Sequence, residues 1–374
     1  MKKTIMTIML MATATLGVNA QQSSGIDLKN LNQTVKAGDD FYQYACGGWM
    51  KNNPLPAAYS RFGSFDQLQE DNNKRINEIL TELQNGTFKE GTVERKLSDF
   101  YRLAMDSIRR NKEGVEPLMP LINELETAKT VESLRSIIMK YADFGIGVPF
   151  GSGFGADEKN ASMNILSISQ GGLVLGQKEY YLDTDKATTD IRNAYKKHIV
   201  RMFQLFGFNK KEATKKMNLI LDYETELAKV SKSRTELRDP EANYNKMTLK
   251  EFQTRWPNIP LADYQKAQGV NEKDIQEMVV GQPAFLDGAD KLIANHSADQ
   301  LRAYMEWDAI LGATGYLSDK VNEASFDFFG KTMRGRQEDY PRWKRATNQV
   351  EMVMAKLWEK CTASATSPNH QRNA

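Results

Sequence analysis

Apolar residues recur at helical spacing along most of this chain, and one glycine-dense window interrupts them. Phe65, Leu68, Ile76, Ile79, Leu80 and Leu83 fall largely on one face at i, i+3, i+4 spacing, with Ser64 as the cap and Asn85-Gly86 as the stop. Val93, Leu97, Phe100, Tyr101, Ala104, Met105 and Ile108 mark a second helix, and Thr130 caps a third that runs to about Tyr141. Further helical patterns cover about 187–206, 210–232, 272–294, 298–312 and 340–360. The spacing therefore predicts a mainly α fold. The break lies between Gly145 and Gly176, where eight of the 25 glycines flank the apolar runs Val148 to Phe154 and Met163 to Ile168. With turn-like residues from Ala156 to Asn160 between those runs, the segment reads as a β-hairpin inserted in a helical domain. The stretch Trp256-Pro257-Asn258-Ile259-Pro260 reads as a loop, because a residue before proline is pushed out of the helical region.

The ends of the chain read differently from its body. Lys2-Lys3, an apolar stretch from Ile5 to Val18 and the small-residue site Val18-Asn19-Ala20 form a secretory signal peptide over residues 1–20. Its apolar part is too short to span a bilayer, and no later run is long enough either, so no membrane span is expected. The product is expected to be exported, to the periplasm or the extracellular space. Residues 21–37 are polar and are expected to form an extended leader. At the other end, residues 361–374 contain no Val, Ile, Leu, Met, Phe, Trp or Tyr, although the preceding helix is apolar on one face up to Leu357 and Trp358. That tail has nothing with which to pack.

Composition narrows the function classes. Of 374 residues 40% are hydrophobic and 26% charged, which excludes a disordered chain and a polytopic membrane protein. Fifty Lys and Arg stand against 48 Asp and Glu with the signs evenly mixed, so the basic stripe that nucleic-acid binding requires is missing and no nucleic acid partner is expected.

Catalytic motifs are scarce. The three histidines, His198, His296 and His370, are isolated from one another, and no HExxH places two imidazoles on one helical face around zinc. Gly330-Lys331-Thr332 has Ser325 where a phosphate loop needs glycine, and bulky phenylalanines intervene, so it cannot cradle phosphates. No family signature of a thiol nucleophile surrounds Cys46 or Cys361. In an oxidising compartment these two cysteines can pair or remain thiols, and sequence alone does not give the Cα distance that decides. No residue of the chain emerges as catalytic or as a metal ligand.

One string carries more information than the rest. Gly38-Asp39-Asp40-Phe41-Tyr42-Gln43-Tyr44-Ala45-Cys46-Gly47-Gly48-Trp49, followed by Asn53-Pro54-Leu55-Pro56 and Ser60-Arg61-Phe62-Gly63-Ser64-Phe65, resembles the opening of the neprilysin/PepO/endothelin-converting-enzyme family of zinc metallopeptidases. Later landmarks recur in the family's order: Gly171-Gly172-Leu173 with Tyr180-Tyr181-Leu182, Arg238-Asp239-Pro240 to Tyr244-Asn245-Lys246-Met247, Leu301-Arg302-Ala303-Tyr304 with Trp307, and Pro341-Arg342-Trp343-Lys344. The resemblance assigns residues 38–354 to the N-terminal peptidase domain of that family. It implies a multi-helix lobe carrying the inserted hairpin, with the zinc, the HExxH helix and the substrate strand in a C-terminal part absent from this sequence. Asn193-Ala194-Tyr195 matches the substrate strand by letters only, since it lies inside a helical pattern.

The resemblance also bears on single residues. Arg61 matches an arginine that in family members is placed to bind the substrate's C-terminal carboxylate, while a second such arginine aligns with Gln69 here. In disulfide-bearing relatives the equivalent of Cys46 pairs near the far C-terminus, which leaves Cys46 a candidate free thiol and makes a bond to Cys361 opportunistic. Family members continue beyond Met354 with a Gly-Glu-Ala-Val-Gly type run that a one-base shift of Ala355 to Lys360 can spell, so residues 355–374 are expected to be a frame-shifted tail, unstructured at its end. Two readings follow. One is the N-terminal domain of an exported zinc metalloendopeptidase acting on peptides, holding no zinc itself and inactive alone. The other is a stand-alone helical module that binds peptides or pairs with a separately encoded catalytic half.

Overall fold

The computed structural model describes residues 27–365, with side chains through Leu357. The expected signal peptide, residues 21–26 of the leader, His370, the Cys361 side chain and residues 366–374 of the tail lie outside that description. The described chain divides into two compact units, one formed by residues up to Pro56 together with Arg61–Gly63, the other by Ala57–Ser60 and everything from Ser64 onward.

The small unit is built around helix α1 (Phe41–Asn52), whose N-cap Asp40 accepts the Gln43 amide at 2.9 Å. The described part of the leader is turned back rather than extended. Asp27 caps a single 3-10 turn over Leu28–Asn30, the Asn32 side chain accepts from Thr34, and the Asn32 amide donates to the Tyr44 carbonyl at 2.8 Å. Short polar side chains that bond their own backbone favour turns over extended chain. The fold-back also explains Gly48: a Cβ there would collide with the carbonyl oxygens of Lys29 and Leu31. Trp49 stacks on Phe62 with centroids 6.1 Å apart, which binds the Arg61–Gly63 strip to this unit.

The large unit is helical except for one small sheet. In chain order its principal helices are α2 (Ser64–Asn85), α3 (Val93–Met105), α4 (Ser107–Glu113), α5 (Met119–Thr127), α6 (Val131–Lys140), α7 (Lys186–Leu205), α8 (Lys210–Val230), α9 (Leu249–Arg255), α10 (Leu261–Ala267), α11 (Pro283–Asn295), α12 (Ala298–Ala313), α13 (Asp319–Ser325) and α14 (Arg342–Ala365). Capping boxes at Thr130, Asn209 and Thr248 start three of them. The interior is a set of adjoining clusters. Leu80, Leu97, Tyr101 and Val350 close α2, α3 and α14, while Tyr195, Phe203 and Trp307 join α7 to α12. Burying side chains of this size contributes roughly 1.5–3 kcal/mol each.

The hairpin forms where the glycines predict it, as β1 (Phe150–Asp157) antiparallel to β2 (Asn160–Gln170) with Phe154 opposite Leu166. It does not stand alone. Strands β3 (Asn245–Thr248) and β4 (Glu277–Val280) complete a sheet of order β1-β2-β4-β3, in which β2 and β4 run parallel. This corrects the helical reading of 272–294, which is a 3-10 turn, then β4, then α11. Met278 and Val280 are fully buried on the sheet's inner face, and that burial holds the four residues extended.

One further reading changes. Phe65 and Leu68, expected on the inner face of α2, are 85% and 66% exposed, while Ile76, Leu80 and Leu83 of the same helix are buried. The described backbone continues α14 as helix to Ala365, across a kink at Met354 (φ −120°, ψ 25°).

Candidate functional site

The residues singled out from sequence fall in different units. Arg61 lies in the small unit, its side chain exposed beside the Phe62 ring that stacks on Trp49. Gln69 lies on α2 of the large unit, where its amide donates to Asn73 Oδ1 at 3.0 Å. Around it Phe65, Leu68, Asp71, Asn72 and Arg75 line an open groove of about 510 Å³. Cys46 is a half-buried free thiol on α1.

A zinc site requires three or four converging donors. Among the described residues no group of three His, Cys, Asp or Glu side chains can hold a metal ion. His198 on α7 is buried in an aromatic box, stacked on Phe328 at 5.0 Å and edge-on to Trp307 at 5.6 Å. Burial, reinforced by the Arg201 charge, pushes its pKa down to about 4. His296, just after α11, is pushed down to about 4 by burial and Arg135. Both rings are neutral packing elements, each isolated from the other, and this donor set does not fit zinc.

The buried charges form a different pattern, one invisible in sequence. Glu224 on α8 is fully buried and accepts hydrogen bonds from Tyr181 and Tyr195, each at 3.0 Å, while Trp307 Nε1 donates to the Tyr195 hydroxyl at 2.8 Å. Burial pushes its pKa up to about 8. Glu306 on α12 is also pushed up to about 8 by burial and by the neighbouring Glu126 carboxylate. Lys216 bridges this acid pair at 2.6 Å to each, and with the proton on Glu306 it holds Glu126 well below the usual carboxylate range despite burial. Near the start of α14, Lys344 packs over the Tyr340 ring at 4.0 Å and bonds the Tyr59 hydroxyl at 2.6 Å and the Glu70 carboxylate. These groups tie distant elements together, and no nucleophile with an adjacent base stands among them. Arg61 of the small unit presents an exposed guanidinium, and the α2 groove of the large unit mixes the apolar Phe65 and Leu68 with the polar or charged Gln69, Asp71, Asn72 and Arg75.

A family model for the N-terminal domain of peptidase family M13 matches residues 37–374. The chain belongs to the M13 family. Endothelin-converting enzyme 1 of Cavia porcellus is 30% identical over 87% of this chain and 44% of its own length, and the human enzyme of that name is 29% identical over 87% and 43%. Among solved structures, the zinc metalloprotease Zmp1 of Mycobacterium tuberculosis superposes with a TM-score of 0.84 at 24% identity, covering 94% of this chain and 53% of that one. PepO of Lactobacillus rhamnosis has a TM-score of 0.73 at 18% identity, covering 87% and 51%. The chain thus spans about half the length of the M13 relatives it matches, and its fold is the mainly α fold of their N-terminal domain. Among the described residues no helix is long and apolar enough to cross a membrane.

Proposed function

We propose that this chain acts as the peptide-lining N-terminal domain of an exported M13 zinc metalloendopeptidase, and that residues 1–374 by themselves bind peptides without cleaving them. The observation that carries this reading is the match of the M13 N-terminal domain over residues 37–374. In a zinc peptidase the metal activates the attacking water and polarises the peptide carbonyl. The residues described here supply a different function, which is to bind and orient. Arg61 presents five N–H donors in a planar fork that fits a carboxylate through two parallel bonds, so it takes the free C-terminus of a peptide. Peptides are therefore the ligand class, and residues 1–20 direct the chain out of the cytoplasm.

The test uses the purified chain with added zinc and a short fluorogenic peptide bearing a free C-terminus. Binding without cleavage is expected, weakened by Arg61→Ala and by amidating the peptide's C-terminus. Chelator-sensitive cleavage would overturn the assignment. Amino-terminal sequencing of the exported product is expected to begin at Gln21.

The reading as a module paired with a separately encoded catalytic half makes a distinct prediction. Adding the remaining portion of a related M13 enzyme as a separate polypeptide would then restore cleavage that neither part shows alone.

A further inference from the structure

We propose that the cleft of the large unit between α5, the turn that follows α6 and α12 is a second peptide site, which takes a basic side chain flanked by bulky apolar residues. The cleft encloses about 700 Å³, within the range of pockets that hold small ligands. Leu121, Ile146, Phe144 and Tyr316 form apolar walls, and Asp143 and Asp308 are its charged groups. Phe144 is 76% exposed and Tyr316 42%, so ring faces are open to a ligand.

Charge complementarity fixes the occupant. No Lys, Arg or His lines the cleft among the described residues. Lys140, which lies over the neighbouring Tyr141 ring at 5.0 Å, is already committed to Glu124 at 2.7 Å. Asp308 is anchored by the Gly147 N–H, which donates to Oδ2 at 2.9 Å, and no described residue engages its other oxygen. A carboxylate on an apolar wall with one hydrogen bond is poorly solvated, and burial pushes the Asp308 pKa up to about 7. A cation on an aliphatic stem relieves that cost while its stem covers the walls, and a guanidinium also stacks on aromatic faces. An acidic or purely apolar segment leaves the two carboxylates uncompensated.

This site requires neither metal nor peptide cleavage, and it is separable from Arg61 by the choice of probe. Acetyl-Leu-Arg-Phe-Leu-amide has no free carboxylate for Arg61 to take. Titration calorimetry with the full chain is expected to show this peptide binding roughly tenfold tighter than its Gln counterpart. Asp308→Asn, which keeps an acceptor for the Gly147 amide, is expected to abolish that preference, and Arg61→Ala to leave it intact. If Asp308→Asn lowers the melting temperature, Phe144→Ala carries the test, since its exposed ring contributes little to folding and its loss is expected to weaken binding severalfold. Equal affinity for the Arg and Gln peptides, no binding, unchanged binding in both variants, or a self-associated chain that excludes the peptide would each overturn the proposal.

Discussion

Lys344 shows how single buried charges work in this molecule. Its ammonium is enclosed by the Tyr59 and Tyr340 rings and held by the Glu70 carboxylate, joining the 57–60 strip, α2 and α14. Removing one partner of such a pair leaves an uncompensated charge, whereas removing both leaves a surface that packing tolerates. Lys344→Met is therefore expected to cost about 3 kcal/mol in urea unfolding. The double variant Lys344→Met with Glu70→Gln should lose clearly less than the sum of the two single losses. Additive losses would mean that the aromatic contacts of Lys344, not its charge, carry the stability. Sequence offered Pro341-Arg342-Trp343-Lys344 only as a landmark, since its partner Glu70 lies far upstream. Arg61 and Cys46 were nameable through the string around them, and their environments were not.

Elements were legible where their signal is local. The helices at 64–85, 186–205, 210–230 and 298–313 lie within a residue or two of the boundaries read from apolar periodicity, and the glycine pattern located the β1–β2 hairpin. Strands β3 and β4 were missed because each is four residues long and is held extended by partners far away in sequence, β4 by a parallel register of Leu166 to Met278. Phe65 and Leu68 obey the helical period of α2 yet face solvent, since periodicity gives the stripe and not what covers it. The small unit was legible only as a motif, and its geometry now explains part of that motif. Gly48→Ala is expected to push α1 off the Lys29 and Leu31 carbonyls, with backbone amides of residues 27–52 exchanging at least several-fold faster while those of α8 and α12 are unchanged. Unaltered exchange in the small unit would show that the leader does not pack on Gly48 in solution.

Across the whole molecule, buried titratable groups of two kinds bracket the pH range of stability. Glu224, Glu306 and Asp308 hold folded pKa values pushed up to about 8, 8 and 7, so the stability linked to them is whole below the ordinary carboxyl range and is lost as pH rises through 7 to 8. His198 and His296, pushed down to about 4, contribute stability that is whole above about 6.5 and is lost as pH falls towards 4. The melting temperature is expected to fall between about pH 6.5 and 8, where the imidazole contribution is already whole and only the carboxyl loss operates, with Glu224→Gln removing part of that decline. A melting temperature still climbing from pH 6 to 9 would contradict this assignment of protons. None of these groups announced itself in sequence, because a lone Glu or Asp on a helical stripe reads as surface until its neighbours are known.

The parallel pairing of β2 with β4 also affects how the chain is made. During synthesis the hairpin emerges with the inner edge of β2 bare, and the strand that covers it is still roughly a hundred residues from leaving the ribosome. Nascent chains halted short of Val280 should therefore bind holdase chaperones or clump, and those extended past α11 should not.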